Sequence, residues 1–270
     1  MAAPRPGSGP SCERPGTDHH IRIPDRGAPG GSRRVWIHRP PGPDTADRPV
    51  LYLLHGSTTD ASMFERWELG RLLDREMCRT GVPFVFAAPD GQAFDGSDTE
   101  WGDAQDGRFR IETFLTTKLI DAVEGEDRRP AALRAIGGVS MGGYGAAALA
   151  LRHPDLYPQA VSFAGYFKVD DPSGTFGNDP DAHAPDRLLD RPDVRHARFF
   201  LVEGTEDHTP LRSADPPGEI LGEADRFARL LRERDMTVEV RHPPGGHVFA
   251  TWRPTLPAAV DFLVDGWVPG

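Results

Sequence analysis

Short apolar runs alternate along this chain with longer stretches whose apolar residues recur at helical spacing. Residues 50–55 (VLYLLH) and 83–88 (PFVFAA) are almost continuously apolar, as strands buried on both faces require. Further strand-like runs are expected at 133–139, 159–164, 198–202 and 237–241. Between them the period changes. Residues 61–78 place Phe64, Trp67, Leu69, Leu72, Leu73 and Met77 on one face, which predicts a helix, and helices are likewise expected at 110–124, after Ser140 to His153, at 217–235 and at 251–267. Ahead of this alternation, 19–23 and 33–39 are strand-like and are joined by Gly and Pro at 27–31, the pattern of an antiparallel hairpin. Strands alternating with helices predict an α/β class: a mostly parallel central sheet, an N-terminal antiparallel hairpin, and helices on both faces.

One junction carries a chemical signal. The stretch 135–150 reads AIGGVSMGGYGAAALA, a strand, a sharp turn and a helix of small residues, with Ser140 at the turn. Gly138-Val139-Ser140-Met141-Gly142 fits the G-x-S-x-G nucleophile elbow, in which a strained serine stands clear of the sheet. Ser140 and the Met141 amide then occupy a helix N-terminus, where developing negative charge is stabilised. The pentapeptide is weak evidence in a glycine-rich chain until partners are found. A serine hydroxyl needs a base, and the base needs an orienting acid.

The acid is expected in the loop after 198–202, where Glu203-Gly204-Thr205-Glu206-Asp207 follows the carboxyl end of a strand. Asp207 is the first choice, Glu206 the second and Glu203, still close to the strand, the third. Ten histidines make any one of them weak evidence. His247 follows strand 237–241 and the flexible run Pro243-Pro244-Gly245-Gly246, so it is the expected base; His242 is its nearest rival, and His153 and His55 look structural. Two N–H donors should hold the oxyanion, one from Met141 and one from Ser57 in the loop opening His55-Gly56-Ser57-Thr58. His55, Gly56, Trp101 and Tyr166 form the set of candidate substrate-binding residues.

Charge and composition narrow the classes of partner. A formal net charge of -10 argues against nucleic acid, since phosphate binding draws on clustered Lys and Arg. No apolar segment is long enough to span a bilayer, and residues 1–17 lack the apolar core of a secretion signal, so a cytoplasmic protein is expected. Two cysteines, Cys12 and Cys78, suggest no disulfide framework. Residues 1–17, rich in Pro, Gly and Ser, are expected to be a disordered leader to a single domain over 18–270. The polar loop 92–107, which contains Phe94 and Trp101, is long enough to be functional. The Asp/Pro-rich stretch 168–195 is a candidate cap or a surface excursion. No metal or organic cofactor is called for; monomer and homodimer stay open.

Taken together, LYLLHG (51–56), Ala88-Pro89-Asp90-Gly91, ETFLTTKLIDAVE (112–124), GGVSMGGYG (137–145), Arg152-His153-Pro154-Asp155 and Gly245-Gly246-His247 with Trp252 nearby resemble the esterase D branch of the α/β-hydrolases. That group includes S-formylglutathione hydrolases, acetyl and feruloyl esterases and mycolyl transferases. The resemblance spans about 21–267 and implies Ser140 as nucleophile, Asp207 as acid, His247 as base, and Ser57 and Met141 as oxyanion donors. It departs from the group around Trp101 and over 168–195, where substrate choice would be made. The expected function is a serine carboxylic-ester or thioester hydrolase working through an acyl-enzyme on a small-molecule substrate. The alternatives are acyl transfer by the same machinery, or a non-hydrolytic step of specialised metabolism on a bulky substrate.

Overall fold

The computed structural model describes residues 14–126 and 128–268. An eight-stranded sheet with the order β1-β2-β4-β3-β5-β6-β7-β10 organises them. β1 (Thr17–Pro24) and β2 (Ser32–Arg39) form the antiparallel hairpin, and β2 also runs antiparallel to β4 (Val85–Pro89). The remaining neighbours are parallel: β3 (Val50–Leu54), β5 (Arg134–Val139), β6 (Gln159–Phe163), β7 (Arg198–Val202) and β10 (Val238–Arg241). A separate two-stranded ribbon pairs β8 (Pro210–Leu211) with β9 (Gly218–Glu219).

The period-2 alternation of side chains divides the core into two layers. Tyr52 and Leu54 of β3 enter one layer with α3 (Ile111–Thr116), α4 (Lys118–Glu124) and α6 (Glu223–Arg232). Leu51 and Leu53 enter the other with α1 (Ser62–Arg66), α2 (Leu69–Thr80), α7 (Phe249–Trp252) and α8 (Leu256–Trp267). α5 (Met141–Arg152) is buried along nearly its whole length and contributes to both layers, which its small residues permit. Beneath the sheet, Glu124 accepts hydrogen bonds from Tyr52 Oη, Arg134 Nε, Arg134 Nη2 and the Arg129 amide, each at 2.8 Å.

Several expected elements are interrupted. The helix expected over 61–78 breaks at Glu68, whose φ of 53° is left-handed, and that over 110–124 breaks at Thr117. The helix expected from 217 begins at Glu223, after β9. The one expected from 251 starts two turns in α7 and 3-10 geometry before α8. The leader lies outside the described residues up to position 13; at its end the Gly16 amide donates to Asp74 Oδ2 at 2.9 Å and Thr17 already opens β1. Cys78 is disulfide-bonded, against the expectation of no disulfide. No helix among the described residues is long and apolar enough to cross a membrane.

Candidate active site

The residues singled out in sequence gather at the carboxyl edge of the parallel strands. Gly56 follows β3, Ser140 follows β5, Asp207 follows β7 and His247 follows β10; β5, β6, β7 and β10 are consecutive in the sheet. Loops after parallel strands emerge on one side, where open α/β sheets bind their ligands.

Ser140 sits at φ 57°, ψ -120°, a conformation that costs a residue with a Cβ free energy and persists only where its surroundings impose it. The Ser140 amide donates to Phe163 O of β6 at 2.8 Å, and the Ser140 carbonyl accepts the Tyr144 amide of α5 at 3.0 Å. The turn is tight because two glycines let backbones meet. A Cβ on Gly142 would lie 2.0 Å from Leu54 O, and one on Gly138 would lie 2.2 Å from Gly142 O. Gly56 faces the serine, since a Cβ there would lie 3.4 Å from Ser140 Cβ.

Asp207 and His247 are brought together: His247 Nδ1 donates to Asp207 Oδ2 at 2.7 Å. The Asp207 side chain is fully buried, while the imidazole keeps about a quarter of its surface exposed. Thr209 completes the aspartate's shell, donating from Oγ1 to Oδ1 at 2.7 Å and from its amide to Oδ1 at 3.3 Å. Burial alone would raise the Asp207 pKa; the hydrogen bonds from His247 and Thr209 outweigh it and hold the carboxyl below the usual aspartate value. The imidazole packs edge-on against Trp252, with ring centroids 5.3 Å apart. The Ser140 hydroxyl makes no hydrogen bond among the described residues, with His247 or any other group.

The rival residues have other work. Glu203 accepts the Gly222 and Ala224 amides at 2.7 and 2.8 Å, anchoring the start of α6. Glu206 is exposed, and His242 bonds Asp225 at 3.1 Å on the surface. His153 meets Glu112 Oε1 at 2.7 Å. Thr209 was missed in the sequence, although a threonine two residues after an aspartate is a familiar local hydrogen-bonding pattern.

The expected oxyanion loop is rigidly held. His55 Nδ1 donates to Gly56 O at 2.8 Å, Thr59 Oγ1 donates to the same oxygen at 2.8 Å, and His55 Nε2 accepts the Gly91 amide at 2.8 Å. Burial pushes the His55 pKa down to about 4, so the ring is neutral at pH 7, consistent with one donor and one acceptor nitrogen. Ser57 is half-buried at this turn and Met141 is 3% exposed at the start of α5.

Two of the candidate substrate-binding side chains lie in the interior. Trp101 is 1% exposed: its indole Nε1 donates to His55 O at 3.1 Å, and a Cβ on Gly91 or on Gly145 would lie 2.4 or 2.6 Å from its side chain. Tyr166 is 5% exposed, stacks on Tyr144 and donates to Glu100 Oε2 at 2.5 Å. Both side chains pack against protein. His55 and Met141 do border open space, a cavity of about 370 Å³ shared with Thr58, Gln92, Phe94 and Asp98. The 168–195 segment, expected as a cap or a surface excursion, contains three short 3-10 turns. It packs back on α5 and on the 98–105 loop: His183 O accepts Tyr144 Oη at 2.9 Å, and Thr175 O accepts the Gln105 amide at 2.8 Å.

Comparison with known proteins agrees with this architecture. Esterase Rv1288 of Mycobacterium tuberculosis (strain ATCC 25618 / H37Rv) is 28% identical over 230 residues, covering 74% of this chain and 49% of that protein. Diacylglycerol acyltransferase/mycolyltransferase Ag85A of Mycobacterium leprae is 28% identical over 177 residues, covering 63% of this chain and 51% of that protein. The chain thus spans about half the length of the curated relatives it matches. An S-formylglutathione hydrolase from Agrobacterium tumefaciens superposes with a TM-score of 0.75 at 16% identity, covering 94% of this chain and 96% of its own, which is a likeness of fold. The family model described as "Putative esterase" matches residues 27–263. The chain belongs to this esterase family and has the α/β-hydrolase fold.

Proposed function

We propose that this chain is a serine carboxylic-ester or thioester hydrolase acting through an acyl-enzyme. The observation that carries the reading is the Asp207–His247 hydrogen bond, formed on the same sheet edge as a serine in strained elbow geometry. Ser140 Oγ attacks the substrate carbonyl carbon while its proton passes to His247 Nε2. Asp207, accepting from Nδ1, fixes the tautomer that leaves Nε2 free and stabilises the imidazolium. The carbonyl oxygen becomes an oxyanion held by the Ser57 and Met141 amides, with the N-terminus of α5 behind it. Collapse expels the alcohol or thiol, which takes the proton from His247, and a water repeats the sequence to release the acid. The serine and histidine close on each other when substrate binds, as catalytic contacts often tighten only in the loaded enzyme.

A fluorophosphonate probe tests the nucleophile. Wild-type protein should be labelled at Ser140 and hydrolyse p-nitrophenyl butyrate, and Ser140→Ala should lose both, with a rate loss of several orders of magnitude. Labelling at another serine, or full turnover by Ser140→Ala, would sink the reading. The acyltransferase relative favours a second outcome, transfer of the acyl group to an alcohol in place of water. Product analysis with competing alcohols separates the two.

A further inference from the structure

The cavity beside the oxyanion loop has an unusual charge. It is bordered by Met141, whose amide is one proposed oxyanion donor, and by Thr58, which directly follows the other. One arm of a substrate whose carbonyl oxygen sits between these donors has this space to enter. Of the described residues around it, His55 is neutral with both ring nitrogens bonded to backbone, and Asp98 is the one bearing a full charge. Asp98 makes no ion pair among the described residues. Its amide is held by Ser173 Oγ at 3.1 Å and its carbonyl accepts Thr175 Oγ1 at 3.2 Å. Phe94, at 55% exposure, stands at the rim.

A half-buried carboxylate without a counter-cation is held at a cost that a cation arriving from outside would offset, and an exposed aromatic ring at the entrance suits the same visitor. Burial also raises the Asp98 pKa from the usual aspartate value, which marks how little the fold itself does to compensate the charge. The net charge of -10 favours the approach of a cation at long range.

We propose that this cavity is a cation subsite, with Asp98 selecting esters that carry an ammonium group on the arm entering it. The proposal rests on the ester-hydrolase reading for its geometry and sharpens that reading to a substrate class.

Two isosteric pairs of esters test it. In one, butyrylcholine is compared with the analogue in which tert-butyl replaces trimethylammonium, placing the charge on the alcohol side. In the other, the p-nitrophenyl ester of a trimethylammonium-terminated butyrate is compared with its tert-butyl counterpart, placing the charge on the acyl side. The cationic member of one pair should be favoured in kcat/KM by about tenfold, the scale of a charge-assisted contact in a partly desolvated site. Asp98→Asn keeps the shape of the side chain but no charge, so it should bring that ratio close to one. Reading the ratio within each variant cancels any general loss of activity. No cationic preference in either pair, or a preference unchanged in Asp98→Asn, overturns the proposal.

If neither pair is hydrolysed, fluorophosphonate labelling at Ser140 and turnover of p-nitrophenyl butyrate decide the esterase reading, and binding decides the subsite. Choline should raise the thermal midpoint of Ser140→Ala protein more than the tert-butyl alcohol analogue at equal concentration, and adding Asp98→Asn should abolish the difference. Equal shifts before that second substitution refute the cation subsite.

Discussion

Replacing Asp207 with Asn puts the proposed machinery under its sharpest strain, because the surroundings dictate how the amide must turn. Oδ1 of Asp207 receives two donors from Thr209, and Oδ2 receives His247 Nδ1. An asparagine can satisfy both Thr209 donors only with its carbonyl oxygen on that side, which turns its NH2 toward His247. Two donors cannot face each other, so the imidazole gives up its Nδ1 proton and carries it on Nε2. That nitrogen then has no lone pair for the Ser140 proton. The side chain is buried, so water does not rescue the wrong tautomer. The expected loss in kcat is roughly 10,000-fold, about 5.5 kcal/mol of transition-state stabilisation, with KM little changed. Steady-state hydrolysis of p-nitrophenyl butyrate measures the rate, and 15N chemical shifts of the His247 ring report the tautomer directly. An Asp207→Asn enzyme within tenfold of wild type, or one whose ring keeps its proton on Nδ1, would refute the reasoning. A large loss in Glu206→Gln would move the acid to the neighbouring residue.

Three further outcomes follow from the packing. Gly142→Ala would drive a Cβ to 2.0 Å from Leu54 O and 2.5 Å from the Leu54 carbonyl carbon, backbone that cannot step aside, so urea unfolding should show a loss of roughly 3 kcal/mol, the upper end of overpacking. Wild-type stability there would contradict the close approach of α5 and β3. Glu124→Gln leaves Arg134, whose side chain is 5% exposed, without its charge partner, and should cost about 3–5 kcal/mol by the same measurement. A change below 1 kcal/mol would show that the pair is better solvated than its burial implies. His55 supplies a pH dependence. Its folded pKa, lowered to about 4, lies below the unfolded value near 6.5, so the unfolded chain binds the extra proton between them. The stability it contributes is fully present above about pH 6.5 and declines as pH falls toward 4; thermal midpoints across that range should slope less steeply in His55→Gln.

The sequence made the parallel core legible because strands buried on both faces leave uninterrupted apolar runs, and β3, β4 and β5 carry little else. The elbow was legible for a related reason: only glycine tolerates the contact between Gly142 and Leu54, so chemistry and sterics left their mark at the same spacing. The flexible Pro-Pro-Gly-Gly run before it put His247 ahead of His242 at the strand end, and the structure seats the first against Asp207 and the second against Asp225. Helix breaks at Glu68 and Thr117 were invisible, because an apolar period continues across a kink whose cause is tertiary. The seat of Trp101 was hidden for a different reason. An aromatic in a polar loop looks like a ligand contact, and nothing local reveals the slot between Gly91 and Gly145 that receives it.

That slot determines where the enzyme is free to change. With the tryptophan inserted at one foot of the loop, and Arg33 Nη1 gripping Asp90 O and Gln92 O at 3.0 and 2.8 Å at the other, both ends are clamped to the sheet. Between these two clamps the exposed residues are the crown, Phe94, Asp95 and Gly96. Mutations confined to those three positions could therefore retune what passes the entrance while the histidine beneath keeps its bonds, so selection or a designer can explore new substrates there without first rebuilding the machinery.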